Sequence, residues 1–221
     1  MARLPRLVLP GQAHYLVQRG HGGRAVFSDA QDRQTYRLAL AEAAAAAQVQ
    51  VHAYALLDDE VQLLATPADE GALGRMVQAI GRRYVSAYNR RHGCTGTLWS
   101  GRFRCAVVQP GELRLAALRW IDGLSTQVGV TSASHRSGGP RDQLLADPPE
   151  IWQLGNTPFE REAAYRSLLA QGPDVAFAAA LRQAAQGGWV LGTAAYAAEV
   201  ETTTARPSRP RSRGRPRRPA A

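Results

Sequence analysis

The chain has 221 residues, 45% of them hydrophobic and 20% charged, which is enough apolar material for one globular domain with extensions. No apolar run reaches the length of about eighteen residues that a membrane span needs, and the first residues lack the apolar segment of a signal peptide. We therefore expect a cytoplasmic protein, nucleoid-associated if the source is bacterial. Cys94 and Cys105 do not form a close metal-type pair and are expected to be reduced thiols.

The charge of the chain is unevenly distributed. The formal net charge is +9, and all 27 basic residues are arginine. Residues 75–119 carry nine arginines against one acidic residue, and residues 201–221 carry seven against one, whereas the remainder has eleven arginines and sixteen acidic residues. Two basic segments in an otherwise acidic chain favour a polyanionic partner, because evenly mixed charges would serve solubility better.

The first half of the chain alternates between strand and helix patterns. Residues 13–19 predict a strand, which the glycines that follow interrupt. An alanine-rich run over residues 31–48 predicts a helix with Asp29 as its N-cap. Residues 49–57 and 60–66 predict two further strands joined by a short acidic turn.

A long helix is predicted over residues 70–92, because its apolar residues recur at fourfold spacing. A loop follows over 93–101, then a strand over 102–109 and a helix over 112–122. The order strand, helix, strand, strand, helix, strand is that of a ferredoxin-like α+β fold, an antiparallel sheet with helices on one face. We assign this fold to residues 1–131.

The C-terminal part of the chain has weaker patterns. Residues 132–158 predict a connector, rich in proline, glycine and serine and with little pattern, and residues 159–200 predict a small helical extension of two or three short helices. Residues 201–221 are rich in arginine and proline and are predicted to be disordered. Within them, Arg213-Gly214-Arg215-Pro216 is similar to an AT-hook, whose arginines enter a narrow A·T minor groove; a generic basic arm is the equal alternative.

Two adjacent segments carry the most specific pattern in the chain. Residues 81–92 run Gly-Arg-Arg-Tyr-Val-Ser-Ala-Tyr-Asn-Arg-Arg-His, and residues 95–104 run Thr-Gly-Thr-Leu-Trp-Ser-Gly-Arg-Phe-Arg. In this order they resemble the REP-associated kind of single-tyrosine HUH transposase, as do the opening Arg3-Leu4-Pro5-Arg6 and the later residues 187–192. The resemblance implies DNA transposition in which two histidines on a strand hold a divalent metal ion and a tyrosine on a later helix attacks a DNA phosphate.

The chain departs from this pattern at each catalytic position. Glu60 and Gln62 stand where the resemblance implies the metal-binding histidines, and Trp120 stands where it implies the nucleophilic tyrosine. Leu124 replaces a polar residue one helical turn later. Carboxylate and amide oxygens could still ligate Mg²⁺, but an indole has no hydroxyl with which to form a phosphoester. We therefore predict no intact catalytic residue and no cofactor, with Mg²⁺ or Mn²⁺ needed only if activity survives.

The residues that remain are suited to binding DNA. Arginines contact phosphates and position DNA without reading its sequence, whereas a tryptophan in a loop can either stack on an unpaired base or plug the core. The predicted DNA-binding residues are Arg75, Arg82, Arg83, Arg90, Arg91, Trp99, Arg102, Arg104, Arg213 and Arg215. Tyr84 and Tyr88, on the long helix, are predicted to face the sheet.

These residues predict a transposase-like protein that binds single-stranded or hairpin DNA without nicking it. One alternative is an active transposase that uses a metal ion and forms a phosphotyrosyl intermediate, with Tyr84 or Tyr88 as a substitute nucleophile. A second is an RNA-binding protein, because ferredoxin-like sheets also carry RNA-recognition modules. A third is a decayed gene product that has a fold but no task. The sequence leaves the DNA target and the oligomeric state open.

Overall fold

Four strands form the centre of the sheet. A computed structural model describes residues 6–124 and 129–210. The strands are β1 (His14–Arg19), β2 (Val49–Leu56), β3 (Glu60–Pro67) and β4 (Arg104–Val108), and they lie in the order β2-β3-β1-β4 with each neighbouring pair antiparallel. Helices α1 (Ala30–Ala47) and α2 (Ala72–His92) connect β1 to β2 and β3 to β4. This connectivity confirms the predicted ferredoxin-like α+β fold.

Helices α1 and α2 pack on one face of the sheet. Helix α1 starts at Asp29, whose carboxylate accepts a hydrogen bond from the backbone N–H of Asp32 at 3.0 Å. Helix α2 ends at Gly93, where a φ of +62° suits glycine. The residues of α2 that are buried at fourfold spacing are Met76, Ile80, Tyr84 and Tyr88. Both tyrosines therefore face the core, as predicted.

The second face of the sheet is covered by helices that follow the ferredoxin-like unit. They are α3 (Glu112–Asp122), α4 (Pro149–Trp152), α5 (Pro158–Ala170) and α6 (Val175–Gly187). Helix α7 (Ala194–Thr204) packs instead on Val107 and Val190 at the β4 edge of the sheet. Leu16 and Leu63 belong to the core under α1 and α2, whereas their neighbours Tyr15 and Leu64 belong to the core under α3, α5 and α6. The sheet is thus buried on both sides, and the C-terminal helices supply its second layer.

The segment predicted as a connector, residues 132–158, is held by buried polar contacts. The carboxylate of Asp122, at the end of α3, is surrounded by the side chains of Ser132, Arg136 and Tyr165. The hydroxyl of Tyr165 donates to it at 2.6 Å, and Arg136 also pairs with Asp147 at 2.7 Å. The sequence of this segment has little pattern because its contacts join residues distant in sequence, where local periodicity carries no signal.

Two short strands extend the sheet at its edges. β5 (Val130–Thr131) pairs with β2, and β6 (Val190–Leu191) pairs in parallel with β4. The predicted disorder from residue 201 is wrong at its start, because α7 continues to Thr204 and Ser208 is buried. The carbonyl of Ser208 accepts a hydrogen bond from the N–H of Val190 at 2.9 Å, so the chain closes over the sheet edge.

None of the helices in residues 6–124 and 129–210 is long and apolar enough to cross a membrane.

Candidate nucleic-acid interface

Helix α3 presents Trp120 to the buried side chains of β3. The indole N–H of Trp120 donates to Oε1 of Gln62 at 3.1 Å, and the hydroxyl of Tyr15 donates to the same oxygen at 2.6 Å. Gln62 is fully buried, whereas Trp120 is half-buried. The fold therefore brings two of the positions singled out from sequence into direct contact, although 58 residues separate them along the chain.

Glu60 completes this polar cluster and leaves little capacity for a metal ion. One carboxylate oxygen accepts a hydrogen bond from Nε2 of Gln62, and the other pairs with the guanidinium of Arg19. Both lone pairs of Gln62 Oε1 are used by Tyr15 and Trp120. Each oxygen of Glu60 already accepts one hydrogen bond, and Arg19 neutralises the carboxylate. Glu60 and Gln62 thus do not fit a metal site. The described part of the chain also contains no group of three acidic, histidine or cysteine residues arranged to hold a metal.

A basic cleft lies beside this cluster, between the β1–β4 pair and helix α6. We call it the arginine cleft; its volume is about 310 Å³, and its lining residues are Val17, Arg19, Ser100, Arg102, Arg104, Arg182, Ala185 and Gln186. Four of the eight are arginines and none is acidic. Arg102 and Arg104 are exposed, and no residue of the described ranges forms an ion pair or hydrogen bond with their side chains. The cleft therefore concentrates positive charge, and the protein itself leaves the charges of Arg102 and Arg104 uncompensated.

A second, more open depression of about 550 Å³ continues the cleft towards the β2–β3 turn. It shares Arg19, Ser100 and Arg182 with the cleft and adds the acidic residues Asp59 and Glu60. Because Arg19 is paired with Glu60, the positive potential is strongest on the side of Arg102 and Arg104. An anion would accordingly enter from that side.

The arginines of helix α2 form a separate basic surface. Most of them lie beside acidic residues: Arg75 pairs with Asp69, Arg83 with Glu42, and Arg91 with Asp29 and Asp32. Arg82 and Arg90 are exposed and lack such partners within residues 6–124 and 129–210. Because α2 covers the opposite face of the sheet from α6, the predicted DNA-binding arginines do not form one continuous site.

Trp99 does not lie on the surface, and of the two alternatives left open by the sequence the structure favours a plug of the core over stacking on a base. Its side chain is only 6% exposed, and its ring centroid lies 6.2 Å from that of Tyr36 and 6.4 Å from that of Tyr84. Gly20 forms an isolated β-bridge with Trp99, which fixes the loop over the core. The ring is a hydrophobic plug because its neighbours across the core are aromatic.

Tyr84 and Tyr88 are also unsuited to replace the missing nucleophile. The hydroxyl of Tyr84 donates to the carbonyl of Val26, and burial raises the pKa of Tyr84. The hydroxyl of Tyr88 lies 3.0 Å from that of Ser28. Both belong to the core under α1 and α2, on the other side of the sheet from Glu60, Gln62 and Trp120.

Two further arginines of the basic segment serve the fold. Arg114 forms a buried ion pair with Glu150 at 2.8 Å, and Arg119 donates to the carbonyl of Gly172 at 2.9 Å. Arg213 and Arg215 lie outside the described residues, so their assignment to DNA binding stays a prediction.

Sequence reasoning missed Arg19 and Arg182, although one of them carried a signal. Helix α6 contains a single charged residue, Arg182, among alanines and large apolar side chains. A lone charge on an otherwise apolar helix indicates either an ion pair or a ligand. Arg19 offered no such signal, because a charged residue at a strand end is ordinary.

The chain has distant structural neighbours. No protein-family model and no curated protein sequence matches it. The structure of a REP-associated tyrosine transposase bound to a REP hairpin is similar at 13% identity and a TM-score of 0.46, over 55% of this chain and 71% of that one. A candidate transposase from Deinococcus radiodurans R1 is similar at 19% identity and a TM-score of 0.39, over 49% of this chain and 88% of that one. At such identities and scores, neither neighbour assigns a family or an activity to the chain.

Proposed function

We propose that the chain is a transposase-like DNA-binding protein that holds single-stranded or hairpin DNA in the arginine cleft and does not nick it. The observation that carries this proposal is the convergence of four arginines on one acid-free cleft. Two of them, Arg102 and Arg104, belong to the sequence segment that resembles the REP-associated transposases. Phosphate oxygens are the natural partners of guanidinium groups that the protein leaves unpaired.

The shape of the cleft favours a single strand over a double helix. A cavity of about 310 Å³ is of the size that holds small ligands, and it lies between a strand pair and a helix rather than on a projecting element. Duplex DNA is usually bound by an element that enters a groove. Stacking contributes little here, since Trp99 is buried; phosphate contacts therefore dominate affinity, and binding falls steeply with salt.

The cluster beside the cleft supports binding without cleavage. Trp120 offers an N–H but no oxygen nucleophile, and that N–H is used by Gln62. Tyr15 is the nearest phenol, but it is fully buried and bonded to Gln62. Burial, and then the charge of Glu60, raise the pKa of Tyr15, which keeps its hydroxyl protonated. No group in the cluster is free to attack a phosphate.

The α2 surface and the basic tail extend the proposal. Arg82 and Arg90 would add weaker, sequence-independent contacts, and Arg213 and Arg215 would follow an A·T minor groove or act as a generic basic arm. Such a protein works where DNA is, in the cytoplasm and on the nucleoid of a bacterial host. It would compete with, or regulate, active transposases at their hairpins.

The proposal is tested by pairing a native gel with a denaturing gel. Hairpin DNA with a single-stranded flank, labelled at the 5′ or 3′ end, is mixed with the protein and Mg²⁺ or Mn²⁺. We expect a shifted band on the native gel and intact, protein-free DNA on the denaturing gel. The triple variant Glu60→His, Gln62→His, Trp120→Tyr is the repair control, and recovery of nicking by it would show that these positions are the lost active site.

Other outcomes separate the alternatives. A metal-dependent covalent adduct with the unaltered protein would overturn the proposal and establish an active enzyme. Stronger binding to an RNA of the same sequence, measured by competition, would favour an RNA-binding protein. A folded protein that binds neither nucleic acid would indicate a decayed gene product.

A further inference from the structure

Arg182 is the most unusual charged residue of the described structure. It lies on α6 between Leu181, which is fully buried, and a run of small buried side chains that includes Ala184 and Ala185. Its guanidinium carbon is 5.4 Å from the centroid of the Trp120 ring. Its Nε atom is buried and has no hydrogen-bond partner.

Two acidic residues, Asp59 and Glu60, line the open depression with Arg182, but neither forms an ion pair with it. No carboxylate forms an ion pair with Arg182 anywhere in the described ranges, and the nearby Glu60 is already engaged by Arg19 and Gln62. The adjacent Tyr15 stays neutral because its pKa is raised. A partly desolvated cation without a counter-charge is costly to the fold, and such groups are found mainly where a ligand completes them.

The position of Trp120 gives Arg182 a fixed orientation. An indole is the best ring for a cation–π contact, and the indole here is itself fixed by its hydrogen bond to Gln62. The Tyr15 hydroxyl lies within hydrogen-bonding reach of the Arg182 guanidinium. The N–H donors that remain along the edge of the guanidinium match two oxygens of a phosphate. Arg182 lines the same cleft as Arg102 and Arg104, so its ligand would be approached by their charges as well.

We propose that Trp120 and Arg182 together form a binding site for a phosphate oxyanion, and that the ligand is a phosphodiester of a single nucleic-acid strand. The identity of the ligand as DNA rests on the proposed function, whereas the anion site stands on its own geometry. Trp120, at the position where the resemblance implies a nucleophile, thus has a positioning role: it holds the arginine that holds the phosphate. Helix α6 is then part of the binding site rather than an accessory.

The test follows the indole N–H signal of Trp120 by two-dimensional ¹H–¹⁵N NMR of the full chain. The variant Trp120→Phe assigns that signal among the indole resonances. Inorganic pyrophosphate and a short oligothymidylate are titrated separately. We expect both to shift the Trp120 signal and to leave those of the buried Trp99 and the distant Trp152 unchanged. An unchanged Trp120 signal at saturating oligothymidylate would overturn the proposal.

Matched variants measure what Arg182 contributes. Arg182→Gln should weaken oligothymidylate binding tenfold or more, whereas Arg141→Gln, the same change of charge at an exposed arginine outside the proposed interface, should weaken it no more than twofold. Arg182→Lys should be intermediate, since it keeps the charge but loses the planar donor pair. Equal losses for Arg182→Gln and Arg141→Gln would reduce the effect to net charge and refute the site.

The outcomes distinguish this proposal from the proposed function. Pyrophosphate bound through Trp120 and Arg182, with no DNA bound, would leave the anion site standing and refute DNA binding. If the Arg182→Gln variant bound DNA with unchanged affinity, DNA binding would stand and the anion site would be refuted. Because Arg182→Gln removes an unpaired charge, its urea-induced unfolding should be unchanged or slightly more resistant, which separates loss of binding from loss of folding.

Discussion

Two polar clusters lie at the C-terminal end of helix α3, one around Asp122 and one around Trp120. They differ in whether their charges are balanced. Around Asp122, the carboxylate, two hydroxyls and a guanidinium satisfy one another in the buried core. Around Trp120, the guanidinium of Arg182 has a buried nitrogen without a partner and opens onto a cleft. The two residues on α3 are only two positions apart, yet one cluster is closed and the other is open.

The difference separates the groups that stabilise the fold from those available to a ligand. A buried polar group that has all its partners contributes to the native state and cannot be removed cheaply. A charge left unpaired contributes nothing to folding, and its removal should cost binding alone. Variants in the Asp122 cluster should therefore change the free energy of unfolding, and variants in the cleft should change the affinity for DNA.

The largest expected effect is on stability, from Asp122→Ala. The substitution leaves the buried hydroxyl of Tyr165 without its acceptor, leaves that of Ser132 with only the more distant carbonyl of Tyr54, and leaves Arg136 with one carboxylate instead of two. We expect the free energy of unfolding to fall by about 3 kcal/mol or more, measured by urea denaturation. A loss below about 1 kcal/mol, similar to that of an average surface substitution, would show that the cluster is not a closed unit.

A comparable effect should appear on acidification, because of His14. Its Nε2 accepts a hydrogen bond from the N–H of Leu9 at 3.1 Å, its Nδ1 lies 2.8 Å from the carbonyl of Gln12, and burial lowers its pKa to about 4. Between this value and the pKa of about 6.5 in the unfolded chain, the unfolded state binds more protons. Stability is therefore fully present above pH 6.5 and falls by about 3 kcal/mol as the pH falls to 4.

Urea midpoints at several pH values check this, with His14→Gln as the comparison. The variant should be less stable at pH 7 and should lose less stability on acidification than the unaltered protein. Identical pH dependence in both would remove His14 as the cause. His52, whose pKa is also lowered, mainly by burial, should account for part of what remains.

Next in size is the effect of the cleft on DNA binding. The double variant Arg102→Gln, Arg104→Gln should bind a single-stranded oligonucleotide at least tenfold more weakly at low salt. It should also reduce the slope of log affinity against log salt by about 1.4, since each phosphate contact contributes about 0.7 for single strands. Fluorescence anisotropy at four salt concentrations measures both. An unchanged slope would mean that the two side chains do not contact phosphates.

The smallest effect is expected from the α2 surface. The double variant Arg82→Gln, Arg90→Gln removes the same charge as the cleft variant, but from an exposed helix on the opposite layer. We expect single-strand affinity to fall by no more than about threefold, because only general attraction is lost. A loss as large as that of the cleft variant would show that position on the surface does not matter and that net charge alone drives binding.

The sequence predicts the ferredoxin-like unit well because its signals are local. Period-two patterns mark β1, β2 and β3, fourfold spacing from Met76 to Tyr88 marks α2, and Asp29 marks the start of α1. The covering of the second sheet face is not predictable in this way. It depends on contacts such as Tyr165 with Asp122, whose partners lie 43 residues apart.

The candidate site was predictable only in part, for the same reason. Sequence reasoning singled out Glu60, Gln62 and Trp120 by resemblance, and Arg102 and Arg104 by charge. It placed Trp99 among the DNA-binding candidates although its ring is buried, because loop membership does not reveal burial. It missed Arg182 because only the packing of α6 against β4 carries that side chain to the cleft.

The two-residue strands β5 and β6 form the outer edges of the sheet, and they affect whether the protein associates with other copies of itself. A long, bare outer strand would present a row of free backbone groups on which another molecule could add its own strand. Here one margin is a short β5, and the other is a short β6 whose Val190 N–H is taken by Ser208. Deleting residues from 205 onward would uncover that margin, and the truncated protein should precipitate at concentrations where the full chain stays dispersed.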